Sequence, residues 1–94
     1  MEDWKQHAHA HPSEALAKLH HFSFKKQQAS GEVEFHITVR ENLHAEIGAL
    51  LFFAEADKET NQKTLPYRPT GWSNTLGGAL AECIKNIRRF DYEG

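Results

Sequence analysis

The sequence predicts an α+β domain, and three observations carry that reading. Residues 32–39, EVEFHITV, alternate polar and apolar side chains without a break, the pattern of a half-buried strand. Leu76, Ala79, Leu80, Cys83, Ile84, Ile87 and Phe90 form an apolar stripe at helical spacing in the last third of the chain. Between them, IGALLFFAEAD at 47–57 is apolar on both of its alternating faces, as expected of a central or covered strand.

Taken in order, residues 1–11 (MEDWKQHAHAH) read as a flexible tail, and residues 12–94 as a single domain. Pro12 and Glu14 suit a first helical turn. Leu16 and Leu19 are three apart, so a short helix is expected over 12–20. Phe22 and Phe24 then alternate with Ser23 and Lys25, and the turn-like QQASG at 27–31 joins this segment to 32–39 as a hairpin. ENLHAE at 41–46 is a second connection. In the third strand Ile47, Ala49, Leu51 and Phe53 share one face, and Leu50, Phe52 and Ala54 the other. Residues 58–75 contain two prolines and no sustained period; loops of such length are functional, mobile, or hide a short strand. Ser73, Asn74 or Thr75 can cap the last helix, and Lys85, Arg88 and Arg89 complement its C-terminal end. The expected order is α-β-β-β-α. A three-stranded antiparallel sheet would carry the long C-terminal helix on the face formed by Val33, Phe35, Ile37 and Val39.

Composition narrows the function. The 94 residues carry a formal net charge of −2, without the basic excess of a strong nucleic-acid binder. Cys83 is the only cysteine, so neither an intramolecular disulfide nor a cysteine-based zinc site is expected, and a cytoplasmic location is. No apolar run approaches membrane-spanning length, so no membrane partner is expected. No phosphate-binding or dinucleotide glycine motif is present, no cofactor is implied, and nothing argues for an enzyme. Glu34 and His36, two apart on one strand face, read as a solvated polar pair rather than an acid–base couple. Cys83, on the apolar stripe, reads as a small buried hydrophobe.

Two places stand out for binding. Leu50 and Phe52 are expected on the sheet face away from the long helix, near Glu34 and His36. That face is covered by the N-terminal segment or by a second subunit, which makes a homodimer or another protein the expected partner. The second place is the junction of the 58–75 loop with the last helix, where Tyr67, Arg68, Trp72, Asn74, Gly77 and Gly78 gather. Aromatic and arginine side chains are common anchors in binding sites, although Tyr67 and Trp72 serve equally well to cover the edge of a small core. Two glycines in a first turn are unusual. Neither falls on the core stripe, so either that turn lies against another backbone or its amides are open to an anion.

The segment Thr75-Leu76-Gly77-Gly78-Ala79-Leu80 resembles the T-L-x-x-A-L helix opening of HicB-like antitoxins. The resemblance implies a small strand-rich α+β domain that acts by binding partners. The α-β-β-β-α order also resembles double-stranded RNA-binding domains, whose lysine-rich second-helix start is here Ser73, Asn74, Thr75 and Leu76. The leading expectation is therefore a non-catalytic binding or oligomerisation domain acting through protein contacts. One alternative is a nucleic-acid-binding module using Lys25, Lys26, Arg68, Arg88 and Arg89. The other is metal or small-ligand binding through the alternating His7, His9 and His11, against which stands a tail's lack of fixed hydrogen-bond partners to orient the imidazoles.

Overall fold

A computed structural model describes residues 17–42 and 51–94. Four strands, β1 (Ala17–Gln28), β2 (Gly31–Asn42), β3 (Phe52–Ala56) and β4 (Thr70–Ser73), form one antiparallel sheet in the order β1-β2-β3-β4, followed by the helix α1 (Leu76–Ile87). The fold is small and α+β, but the expected three strands and two helices are corrected to four strands and one helix among the described residues.

The first correction concerns residues 17–20, expected to end a short helix. They open β1, which pairs with β2 without interruption from Ala17↔Asn42 to Gln28↔Gly31. A two-turn helix is marginal on its own in water, whereas each residue added to β1 extends an existing ladder. The rest of that expected helix, and the tail carrying His7, His9 and His11, lie outside the described residues. The second correction is β4, the short strand within the 58–75 segment. The hairpin between β1 and β2 is as expected, and Gly31 closes its turn at a φ of 126°, a conformation that a side chain makes costly.

One face of the sheet meets α1. Phe35, Ile37 and Val39 of β2, Ala54 and Ala56 of β3, and Ala79, Cys83 and Ile87 of α1 form a core in which no residue is more than 1% exposed. The helix crosses β3 and β4 above Ala54, Ala56 and Gly71, whose small size permits a close approach. β3 ends before β2 does, and side chains continue its ladder. The Asp57 carboxylate accepts from the His36 amide at 2.9 Å, and Lys58 Nζ donates to the Glu34 carbonyl at 2.8 Å. Burial acts against the charge on Asp57, but the His36 amide and the Lys58 ammonium outweigh it and hold the carboxyl below its ordinary value.

The first turn of α1 accounts for one of its two glycines. Thr75 is the N-cap, and its Oγ1 accepts from the Gly78 amide at 3.0 Å. A Cβ on Gly78 would run into Ser73 and stand 2.8 Å from Thr75 Oγ1, whereas one on Gly77 would meet nothing within 4 Å. Gly77→Ala is therefore expected to raise stability by about 0.5 kcal/mol, less than the mid-helix glycine penalty. Gly78→Ala should bring no gain, because losing the cap costs about 1 kcal/mol. Urea unfolding of the two variants side by side checks this contrast.

Candidate interaction face

Strand alternation places every second residue on the sheet face away from α1. On β1 these are Ala17, Leu19, His21, Ser23, Lys25 and Gln27; on β2, Glu32, Glu34, His36, Thr38, Arg40 and Asn42; on β3, Phe53 and Glu55; on β4, Thr70 and Trp72. The register aligns four of them in one row across all the strands, with Leu19 opposite Arg40, Arg40 opposite Phe53, and Phe53 opposite Trp72. Trp72 is 52% exposed and Leu19 47%. The rings of Phe53 and Trp72 lie 4.4 Å apart at 40°. Arg40, between Leu19 and Phe53, makes no ion pair among the described residues.

The adjoining row is polar: His21, Thr38, Glu55 and Thr70, with Thr38 Oγ1 3.2 Å from His21 Nδ1. Towards the hairpin tip the Ser23 hydroxyl donates to Glu34, and His36 Nε2 lies 3.9 Å from the same carboxylate. The Ser23 hydrogen bond is the main reason that the Glu34 carboxyl is held below its ordinary value. All three side chains are exposed, so the arrangement is a solvated polar pair, as the sequence suggests.

The structure separates residues that the sequence groups together. Phe52, expected on the open face beside Glu34 and His36, pairs with Glu41 and packs against the core on the α1 side, and Phe53 takes the open face instead. The run LLFFAEA does not fix its own phase. The phase comes from Ala54 and Ala56, the only residues of β3 small enough to lie beneath the helix. Leu50 lies outside the described residues.

The expected loop site divides in the same way. Tyr67 packs edge-on against Phe90 at 5.4 Å, under the Arg89 guanidinium, and bridges Thr60, so it covers the core edge. Arg68 Nη1 donates to the Ala56 carbonyl at 3.0 Å. Asn74 and Gly77 are exposed, and Gly78 lies against Ser73 and Thr75. Trp72 lies on the open face, opposite Phe53 in the register. Leu19, Arg40 and Phe53 escape the sequence reading, because only the register brings them into line.

Other candidates carry less. Among the described residues no three His, Cys, Asp or Glu side chains converge on a metal-sized space. A cleft of about 500 Å³ at the hairpin tip is lined by Gln28, Ser30, Val33, Lys63, Tyr92 and Glu93. Its walls are already engaged: Gln28 makes two hydrogen bonds to the Tyr92 backbone, and Glu93 accepts from the Lys63 amide. Cys83 donates to the Pro69 carbonyl at 3.5 Å, and burial, aided by the charge on Glu55, pushes its pKa up to about 12. The native thiol is thus expected to resist a maleimide at pH 8 and to react only as urea unfolds the chain; fast labelling of the folded protein would contradict its burial. No helix among the described residues is long and apolar enough to cross a membrane. No family model, curated protein or solved structure matches the chain.

Proposed function

We propose that this is a non-catalytic binding domain that acts through protein contacts at the sheet face opposite α1. The row Leu19–Arg40–Phe53–Trp72 carries the reading: two large apolar side chains about half exposed, an aromatic pair and an arginine, aligned across four strands. Tryptophan and arginine are enriched among the residues that dominate protein–protein binding energy, and the Phe53–Trp72 pair beside Arg40 sets such anchors side by side. The same face sets Lys25 and Arg40 against Glu32, Glu34 and Glu55, a balance that favours a protein over a polyanion. The likeness of the Thr75–Leu80 segment to antitoxins that bind partners points the same way.

A photo-activated cross-linking residue at His21, beside the row, and another at Lys85 on the exposed side of α1 test this in the cells that make the protein. Protein adducts are expected from position 21 and not from position 85. Adducts formed with nucleic acid at position 21, or with protein at position 85 alone, would sink the proposal.

A further inference from the structure

We infer that the partner this face fits is a second copy of the chain, laid face to face about a two-fold axis running along the strands. The inference rests on the reading of the open face as a protein-contact surface, and it adds the occupant and its orientation. A two-fold along the strands places β1 over β4 of the second copy and β2 over its β3. The row then meets itself in reverse order. Leu19 packs on Trp72 of the second copy, and Arg40 lies over the ring of Phe53, a cation–π arrangement. In the adjoining row Thr38 meets Glu55, which accepts its hydroxyl, and His21 meets Thr70. Arg40 is also one row from Glu55 of the second copy, so a positive and a negative charge approach each other twice in the symmetric pair.

The competing two-fold, running across the strands along the row, stacks each residue of the row on its own copy. That sets Arg40 against Arg40 in a low-dielectric contact, and like charges facing each other are destabilising. The favoured arrangement keeps the two sets of strands nearly aligned, which is the common way for two sheets to pack. It also leaves the hairpin tips overhanging, since β3 spans only Phe52–Ala56 while β2 runs from Gly31. Lys25, Glu34 and His36 lie on that overhang and stay in water, as their polarity suits. The matched area, two rows by four strands, buries on the order of 500 Å² in total from strand spacings, below the size of a standard specific interface. The dimer is therefore weak and dependent on concentration.

Cross-linking with orientation tests it. Leu19→Cys and Trp72→Cys are prepared separately on the otherwise unchanged chain, whose buried Cys83 does not compete. Each is then treated, alone and mixed, with a bismaleimide spanning about 10 Å, the usual distance between packed sheets. The mixture is expected to give covalent dimer and neither variant alone to do so. Dimer from Leu19→Cys alone would overturn the proposed axis. Sedimentation velocity over a concentration series supplies the second measurement. Wild type is expected to shift from monomer to dimer, and Arg40→Glu, with an unchanged circular dichroism spectrum, to raise the dissociation constant at least tenfold. A wild-type chain that stays monomeric throughout and gives no mixed cross-link overturns the homodimer. If adducts to a different protein still formed at position 21 in cells, the contact-surface reading would stand without it; if none formed, both would fall.

Discussion

Gly71→Ala is expected to lower stability by about 3 kcal/mol, at the upper end of the cost of forcing extra volume into a packed interior. Gly71 sits in β4 directly beneath α1. A Cβ there would fall on the Ala79 carbonyl oxygen, 2.7 Å from the Cys83 amide nitrogen and 2.9 Å from Glu82 Cβ. Two of those three atoms belong to the helix backbone and cannot rotate aside. β4 has little freedom to retreat, because it pairs with β3 from Phe52↔Ser73 to Glu55↔Thr70. Its Thr70 carbonyl also accepts from Asn86 Nδ2 at 2.7 Å. Either α1 lifts from the sheet, opening space above Ala54 and Ala56, or the β3–β4 ladder breaks. In a domain of this size each kcal/mol shifts Tm by roughly 4–8 °C, so a fall of more than about 10 °C is expected. A variant within 1 kcal/mol of wild type in urea unfolding would mean that β4 and α1 do not touch as closely as described. Gly77→Ala is the matched control, since the same substitution six residues later meets open space.

That pair shows why some of the fold was legible and some was not. The double glycine in the α1 opening stands out in the sequence, yet Gly77 faces solvent. The glycine that the packing most requires is Gly71, in a segment with no detectable period. β2 and α1 could be read directly because one polar and one apolar face alternate cleanly in each, and burial follows that alternation residue by residue. β1 was legible only from Phe22 onwards. Before that point its core-facing positions are Lys18 and His20, while Leu19 points outward, so the local pattern is inverted. His20 can face inward because Glu41 on the neighbouring strand meets its ring at 3.2 Å, and such a partner is invisible until the register is known. The interaction face was harder still to read. Glu34 and His36 follow from β2 alone, but Leu19, Arg40, Phe53 and Trp72 come from four separate strands. They form one surface only through three successive pairings, and the third of those involves a strand four residues long.

Lys26→Met is expected to cost about 2–3 kcal/mol although it removes a charge from a residue that reads, in sequence, as a surface lysine. Lys26 lies on the α1 side of β1, and its side chain is 13% exposed. Its ammonium donates to the Ile87 carbonyl at 3.1 Å, the Phe90 carbonyl at 2.8 Å and the Asp91 carboxylate at 3.2 Å. The last carbonyls of a helix have no partner within it, and the C-terminal end of the helix dipole favours a cation. The Arg88 and Arg89 amides take the Ile84 and Asn86 carbonyls, and a lysine from the first strand takes the Ile87 carbonyl beyond them. Hydrogen bonds to a charged group contribute about 1.5–3 kcal/mol, and the two carbonyls carry most of the effect, because Asp91 is 61% exposed and exposed ion pairs contribute little. Methionine keeps the length and apolar stem but leaves both carbonyls without this donor. Lys26→Gln, which can still donate but carries no charge, should fall between wild type and Lys26→Met, separating the hydrogen bond from the charge. Because the contact is partly shielded, 0.5 M salt should reproduce little of the loss. Hydrogen exchange gives the local readout. The amides of Asn61 and Tyr92, which bond to the Asp91 carbonyl and to Gln28 Oε1, should exchange faster in the variant by a larger factor than those at the centre of β2. Equal acceleration everywhere would mean that the C-terminal segment never opens apart from the rest. A stability within 0.5 kcal/mol of wild type would mean that Lys26 does not cap the helix.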